Sequence, residues 1–286
     1  MGIYNKAGSA IFSAYSKSGA SLPAAYNKNG TQVFPDPAYF SVMSYNPGAW
    51  TYYGNHATTA NQNYWYTFQD AIFLNNPVNI VGIQEYYSAI GNLSALTMLG
   101  QYFDYIYAVD QLSNPNKAGR AIASDYPLTD TQEINFNTQQ GEVRSYLKAK
   151  TTINNKEVWL LNTHLAYTPA SVYRGQIAEL LQAVQNLSTW ILTGDFNVKW
   201  ANVTDQGWQD IVKPFLDAGY HAANGSTHGI FLTCESNPDL NWYALDNIFT
   251  SADIDILNVY TDNSKLDSDF AYPVDHIPLI ADLKIN

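Results

Sequence analysis

The sequence predicts an α/β protein in which two packed, mostly antiparallel β-sheets are flanked by helices, a four-layer sandwich. Three observations predict it. Short apolar runs of strand length recur along most of the 286 residues. Segments with helical periodicity alternate with them but are too few for a doubly wound parallel order. Hydrophobic residues make up 46% of the chain and aromatic residues 14%, enough to fill the interior that stacked sheets require.

Taken in order, the first 33 residues form a repeat. Tyr4-Asn5-Lys6-Ala7-Gly8, Tyr15-Ser16-Lys17-Ser18-Gly19 and Tyr26-Asn27-Lys28-Asn29-Gly30 recur every 11 residues. Asn or Ser, then Lys, then Gly two positions on is turn chemistry, because glycine supplies the positive φ that closes a hairpin. Ile11-Phe12 and Val33-Phe34 then read as strand residues between turns. So small a β repeat buries little surface alone and needs something to pack against. Phe34-Pro35-Asp36-Pro37 marks the boundary, giving an arm over 1–34 and a domain-sized body over 35–286.

In the body, Tyr39 to Tyr45 alternates as a strand and stops at the turn signal Asn46-Pro47-Gly48. Trp65, Phe68, Ile72 and Phe73 fall at helical spacing, closed by Pro77. Asn79 to Ile83 is a buried-type strand delivering Gln84-Glu85. Val158 to Asn162 behaves likewise and delivers Thr163-His164. The spacing predicts a helix over 174–187, with Ile177, Leu180, Leu181 and Val184 on one stripe. Trp190 to Thr193 is expected to end at Gly194-Asp195-Phe196-Asn197. Ala244-Leu245 leads into Asp246-Asn247, and Asp275-His276-Ile277-Pro278 precedes a last strand from Leu279 to Ile285.

Charge and cysteine usage narrow the function classes. The net charge is −11, and the arm contributes +3 through Lys6, Lys17 and Lys28, so the remainder carries −14. Such a body repels polyanions at long range, which taken alone argues against tight nonspecific nucleic-acid binding. No apolar run reaches the roughly 18 residues of a membrane span. Met1 to Lys6 lacks a charged head followed by an apolar stretch, so no secretory signal is expected and synthesis is placed in the cytoplasm. Cys234, the only cysteine, excludes an intramolecular disulfide framework and a thiolate metal cluster.

Polar residues gather where apolar strands end: Asn46, Glu85, His164, Asp195, Asn197, Asp246, Asp275 and His276. Each alone reads as a turn residue or a satisfied structural histidine. Together they are hard to dismiss, because strand ends hold side chains rigidly at the rim of a core. Carboxylates and amides without a cysteine ligand suit a hard cation, Mg²⁺ first and Mn²⁺ or Ca²⁺ next. Zinc prefers several His or Cys ligands, and no His-x-x-x-His pair occurs. Two histidines can serve as acid and base near neutral pH. Arg144 offers a bidentate donor to phosphate. Metal, acid/base pair and arginine together fit hydrolysis of a phosphate ester by an in-line water.

These segments follow one another in the order of a known group. Ser44-Tyr45-Asn46, Ile83-Gln84-Glu85, Asn162-Thr163-His164-Leu165, Gly194-Asp195-Phe196-Asn197, Leu245 to Phe249 and Asp275-His276-Ile277-Pro278 resemble the endonuclease/exonuclease/phosphatase superfamily over about residues 39 to 286. The Thr-His-Leu segment is similar to its deoxyribonuclease and sphingomyelinase branches. The resemblance implies that Glu85 is the principal metal ligand, with Asn46 and Asp275 at the same site. It implies that Asp195 orients or activates water, that Asn197 holds a phosphate oxygen, and that His276, oriented by Asp246, contacts the phosphate. His164 and Arg144 are likewise carried over, Glu142 being the candidate carboxylate for His164, and residues 117–127 match a core strand and turn. Val274 departs from the Ser or Thr usual before Asp-His. The arm resembles the short Tyr/Gly repeats of phage-type structural proteins, which implies attachment or oligomerisation on a particle.

Two loop regions have bland readings beside functional ones. His221 and His228 lie between Tyr220 and Thr233, a surface stretch by default that could line the cleft. His56 lies in the Asn-, Thr- and Tyr-rich stretch 52–64, whose aromatics could stack on substrate or pack on the first helix. Cys234 reads as a small buried residue. The leading expectation is a metal-dependent phosphodiesterase of nuclease type. Phospholipid or sphingomyelin phosphodiesterase and small phosphomonoesterase are the enzymatic alternatives. A binding domain that has lost its chemistry ranks last, because the set of site residues is complete.

Overall fold

The computed structural model describes residues 39–48, 69–86, 93–109, 119–236, 241–262 and 276–286. It also gives the backbone of short strands, numbered here in chain order, at Ile3–Tyr4 (β1), Ala10–Ile11 (β2), Ala25–Tyr26 (β3), Gln32–Phe34 (β4) and Ala89–Ile90 (β7). The repeat's short strands pair antiparallel in the order β2-β1-β3-β4, and β7 pairs with β8 at Leu93–Ser94. Strand residues expected at Ile11 and Val33-Phe34 lie in β2 and β4, whereas Phe12 lies outside the described residues.

The first large sheet comprises β5 (Tyr39–Tyr45), β6 (Ile80–Gln84), β9 (Tyr105–Val109), β10 (Arg120–Ser124), β18 (Ile254–Thr261) and β19 (Leu279–Ile285). Their order is β18-β19-β5-β6-β10-β9. The second contains β11 (Thr129–Asn135), β12 (Ser145–Ile153), β13 (Lys156–His164), β14 (Trp190–Trp200), β15 (His221–Ala222) and β17 (Asn241–Thr250) in the order β11-β12-β13-β14-β17-β15. A further strand, β16 (Cys234–Ser236), pairs with β17. Each sheet has one parallel pair at its centre, β5/β6 and β13/β14, and antiparallel pairs elsewhere. A parallel pair needs a crossover. The β13/β14 crossover carries the helix Ala170–Val184, and a helical stretch at 69–75 precedes β6.

Side-chain alternation turns these strands into layers. Val42, Ile122, Leu279, Ala281 and Leu283 from the first sheet meet Leu147, Leu160, Ile191 and Ile248 from the second in one buried cluster. Met43, Val81, Ile83 and Ala121 face outward against Ile72, Phe73, Leu99 and Phe103. Leu161, Leu192, Phe196 and Phe249 face the other way, against Ile177, Leu180, Val184, Ile211 and Phe215 of the helices Ala170–Val184, Gln206–Ile211 and Lys213–Asp217. Helix, sheet, sheet, helix is the four-layer sandwich that the sequence predicts. Among the described residues, no helix is long and apolar enough to cross a membrane.

The inter-sheet layer is not wholly apolar. Asn162, fully buried, donates to the carbonyls of Ile83 (2.7 Å) and Ala121 (2.9 Å). Its amide oxygen accepts from Gln84 Nε2 (2.7 Å) and Thr193 Oγ1 (3.2 Å). One side chain thus ties both sheets together beside the strand ends. Gly82 makes the approach possible, since a Cβ there would lie 1.9 Å from Thr193 Oγ1.

Two boundaries and one loop differ from the sequence expectation. The helix expected over 174–187 spans Ala170–Val184, because Pro169 supplies its N-terminal boundary. Strand β14 does not end at Gly194 but continues to Trp200, kept in the sheet by β17 with an irregularity between Asp195 and Trp200. The stretch from Tyr220 to Thr233 is not simply a surface loop. Asn224 is fully buried, donating to the carbonyls of Phe231 (2.8 Å) and Asp246 (3.0 Å), while His221 Nδ1 lies 2.8 Å from the Ile254 carbonyl. Trp65, Phe68 and His56 lie outside the described residues.

Candidate active site

The two parallel pairs bring their ends to one place. Asn46 follows β5, Glu85 follows β6, and His164 ends β13. Asp195 is the register partner of His164 across β13/β14, and Asp246 is the partner of Asp195 across β14/β17. Alternation puts Asp195 on the same face as Ile191 and Thr193, toward the first sheet, so the row faces Asn46 and Glu85.

Asp195 Oδ2 is the centre of the cluster. It accepts from Asn46 Nδ2 at 3.0 Å and lies 3.5 Å from His164 Nε2 and 3.6 Å from His276 Nε2. Asn46 Nδ2 also approaches Glu85 Oε1 at 3.4 Å, while its amide oxygen accepts from Gly48 N at 2.9 Å. On its far side, His276 Nδ1 lies 2.8 Å from Asp246 Oδ2. The other oxygen of Asp195 accepts from Asn197 N (2.8 Å), and Asn197 Nδ2 donates to the Leu165 carbonyl (2.9 Å). Glu85 (φ 49°) and Asn197 (φ 57°) are both left-handed, a state that asparagine adopts readily and glutamate does not.

Burial sets the protonation. It pushes the Asp195 carboxyl up to about 7, with Asp246 adding to the rise and the His276 cation opposing it. Burial alone would lower His276, but the carboxylates of Asp246 and Asp195 more than reverse this and hold it well above the usual histidine range. His164 goes the other way: burial, then the guanidiniums of Arg144 and Arg120, then His276, hold it well below that range. The two imidazoles are therefore poised in opposite states, one charged and one neutral.

Arg144 is buried and pairs with Glu142 at 2.7 Å. That corrects the expectation that Glu142 serves His164, since Glu142 is committed to the arginine and the carboxylate near His164 is Asp195. Asp275, expected beside Glu85, lies outside the described residues. Arg120 is a neighbour that the sequence pattern assigns only to a core strand. It is fully buried, pairs with Glu133 at 3.1 Å, and is lowered to about 10 by burial. Its signal is an arginine heading the otherwise small and apolar run Ala121-Ile122-Ala123. Cys234 is buried, as expected.

The sequence profile of the endonuclease/exonuclease/phosphatase family matches residues 53–269. The chain belongs to this family. Among solved structures, a humanised D. rerio TDP2 carrying 14 mutations is similar at 16% identity and a TM-score of 0.66, with 86% of this chain and 99% of that chain covered. An endonuclease/exonuclease/phosphatase from Bacteroides vulgatus is similar at 14% identity and 0.65, with 87% and 99% covered. D. rerio TDP2 complexed with single strand DNA product is similar at 16% identity and 0.64, with 86% and 99% covered. At such identities the likeness is one of fold. No curated protein matches by sequence. Family membership supports hydrolysis of phosphate esters, phosphodiesters among them.

The residues present suit a hard cation. Glu85 and Asp195 both accept from the Asn46 amide, at 3.4 and 3.0 Å, which places two carboxylates and an amide at one oxygen-rich point. Asp195, Asp246 and His276 also bring ligand atoms within 4.8 Å of one another, a composition that can hold a metal. As arranged, however, His276 spends Nδ1 on Asp246 and is held protonated, which suits proton transfer better than ligation.

Proposed function

We propose that the chain is a divalent-metal-dependent phosphodiesterase of nuclease type. The observation that carries this reading is Asp195 Oδ2, set within 3.0 to 3.6 Å of Asn46, His164 and His276 while Asp246 backs His276. Glu85, Asn46 and Asp275 would hold Mg²⁺, with Mn²⁺ or Ca²⁺ as alternatives. When bound, such an ion stabilises negative charge on the phosphoryl oxygens.

The chain's own groups divide the remaining work. Asp195, raised toward neutrality by burial, accepts the proton of the attacking water as the new P–O bond forms. His276, kept cationic by Asp246, faces the charge that builds on the phosphoryl group and gives its proton to the leaving oxygen as the ester bond breaks. His164 stays neutral and can donate a hydrogen bond without adding charge. Arg144 presents a guanidinium to one phosphate oxygen and the Asn197 amide holds another, while the Asn197 backbone N–H orients Asp195.

A nucleic-acid strand is the favoured phosphodiester, since one structural neighbour holds a single-strand DNA product. The −11 net charge is no obstacle: Glu85, Asp195, Asp246 and Asp275 supply part of it, and a bound cation offsets that part. The test is a substrate panel with Mg²⁺, comprising plasmid DNA, single-stranded DNA, RNA, sphingomyelin and inositol phosphates. Cleavage of a nucleic acid is expected. Turnover confined to sphingomyelin or to inositol phosphates would replace the nuclease reading.

A further inference from the structure

Helix Ala170–Val184 packs against the second sheet as an ordinary crossover, but one of its faces does something else. Gln176 is fully buried. Its amide oxygen accepts from Ala166 N at 2.9 Å, and its Nε2 donates to the Thr138 carbonyl at 3.0 Å. These partners belong to two separate loops. Ala166 is two residues past His164, and its neighbour Leu165 donates its own N–H to the Asp195 carbonyl at 3.0 Å. Thr138 lies in the connection from β11 to β12, which ends at Glu142 and Arg144.

The Arg144 side of this arrangement is built in layers. Glu179, one turn along the helix, accepts from Asn137 N (2.7 Å) and Thr138 N (2.8 Å). Gly175 lets the helix approach: a Cβ there would lie 2.6 Å from the Thr138 methyl. Gln139 then passes the restraint on, accepting from Arg144 N at 2.9 Å and donating to the Arg144 carbonyl at 2.5 Å. A buried glutamine with both ends satisfied is usually just a packing solution. Here its two ends fall on the segments that carry the arginine and the histidine of the site.

We infer that Gln176 is a positioning residue that fixes Arg144 relative to His164 by clamping the 136–144 and 165–169 segments to one helix. The inference rests on the reading of Arg144 and His164 as phosphate-facing groups. Geometric slack of about 1 Å at reacting groups costs up to about 100-fold in rate, so a clamp of this kind bears directly on catalysis.

The experiment has two arms on the full chain. Hydrogen exchange compares wild type with Gln176→Met. Expected is loss of protection in both 136–144 and 165–169 with strands β12 and β13 unchanged; unchanged protection in either segment overturns the clamp. This arm does not depend on activity, so an inactive wild type would count against the phosphodiesterase reading alone. The second arm is a double-mutant cycle with Arg144→Ala, read as kcat and KM on bis-p-nitrophenyl phosphate with Mg²⁺. Gln176→Met should lower kcat about 10- to 100-fold in the wild-type background and less than about 2-fold when Arg144 is already absent. Equal losses in both backgrounds contradict action through Arg144. If Gln176→Met does not fold, Glu179→Gln loosens the same loop from a less buried position, and the same non-additivity with Arg144→Ala is expected.

Discussion

Asp195 concentrates the conflict that makes the site useful. A buried carboxylate beside Asp246 is costly to ionise, and His276, the Asn46 amide and the Asn197 backbone N–H relieve part of that cost. Because its folded pKa of about 7 exceeds the ordinary aspartate value of about 3.9, the folded protein holds this proton more tightly than the unfolded chain. Its contribution to stability therefore falls as pH rises from about 4 through 7. Asp195→Asn should accordingly match wild type in thermal unfolding near pH 4 and exceed it by about 2–4 °C at pH 8 in metal-free buffer, while activity is lost. An Asn variant that is less stable than wild type at pH 8 would contradict the assigned burial cost. His276→Ala and His164→Ala should each lower kcat by about 10²- to 10⁴-fold in steady-state assays. Near-wild-type rates in both would misplace the site.

The sheets explain how residues far apart in sequence meet. Each central parallel pair aims two strand ends at the same point, and Asn162 fixes the sheets to one another just behind it. Gly82→Ala places a methyl against Thr193 and Asn162 and should cost about 1–3 kcal/mol in urea unfolding. An unchanged midpoint would show that the girder is slack. Much of this is legible in the sequence. Tyr39–Tyr45 and Leu279–Ile285 have the boundaries that the sequence predicts, and Asn46, Glu85, His164, Asp195, Asp246 and His276 converge. What is not legible comes from pairing across the sheet. Strand β14 runs on through Asp195 because β17 continues to pair with it, which no local propensity reveals. The engagement of Glu142 with Arg144, the burial of Arg120 and the clamp by Gln176 likewise depend on how the chain packs in three dimensions.

The whole molecule joins a short β repeat carrying +3 to an acidic body carrying −14. Strands of two or three residues bury too little to stand alone, and the site residues all come from beyond residue 45. Deleting residues 1–33 should leave kcat on bis-p-nitrophenyl phosphate within about 2-fold and change the mass seen by light scattering. We propose on this ground that the repeat is an attachment arm and the body the enzyme, a division that lost activity at unchanged mass would contradict. On the proposed reading, Glu85 and its neighbours hold a divalent cation for phosphodiester hydrolysis. The most direct test of that reading follows bis-p-nitrophenyl phosphate hydrolysis by wild type and Glu85→Gln, with Mg²⁺ and with excess chelator. Hydrolysis that needs the metal, vanishes with the chelator and falls by orders of magnitude in Glu85→Gln is the predicted result. Full activity in excess chelator would contradict it.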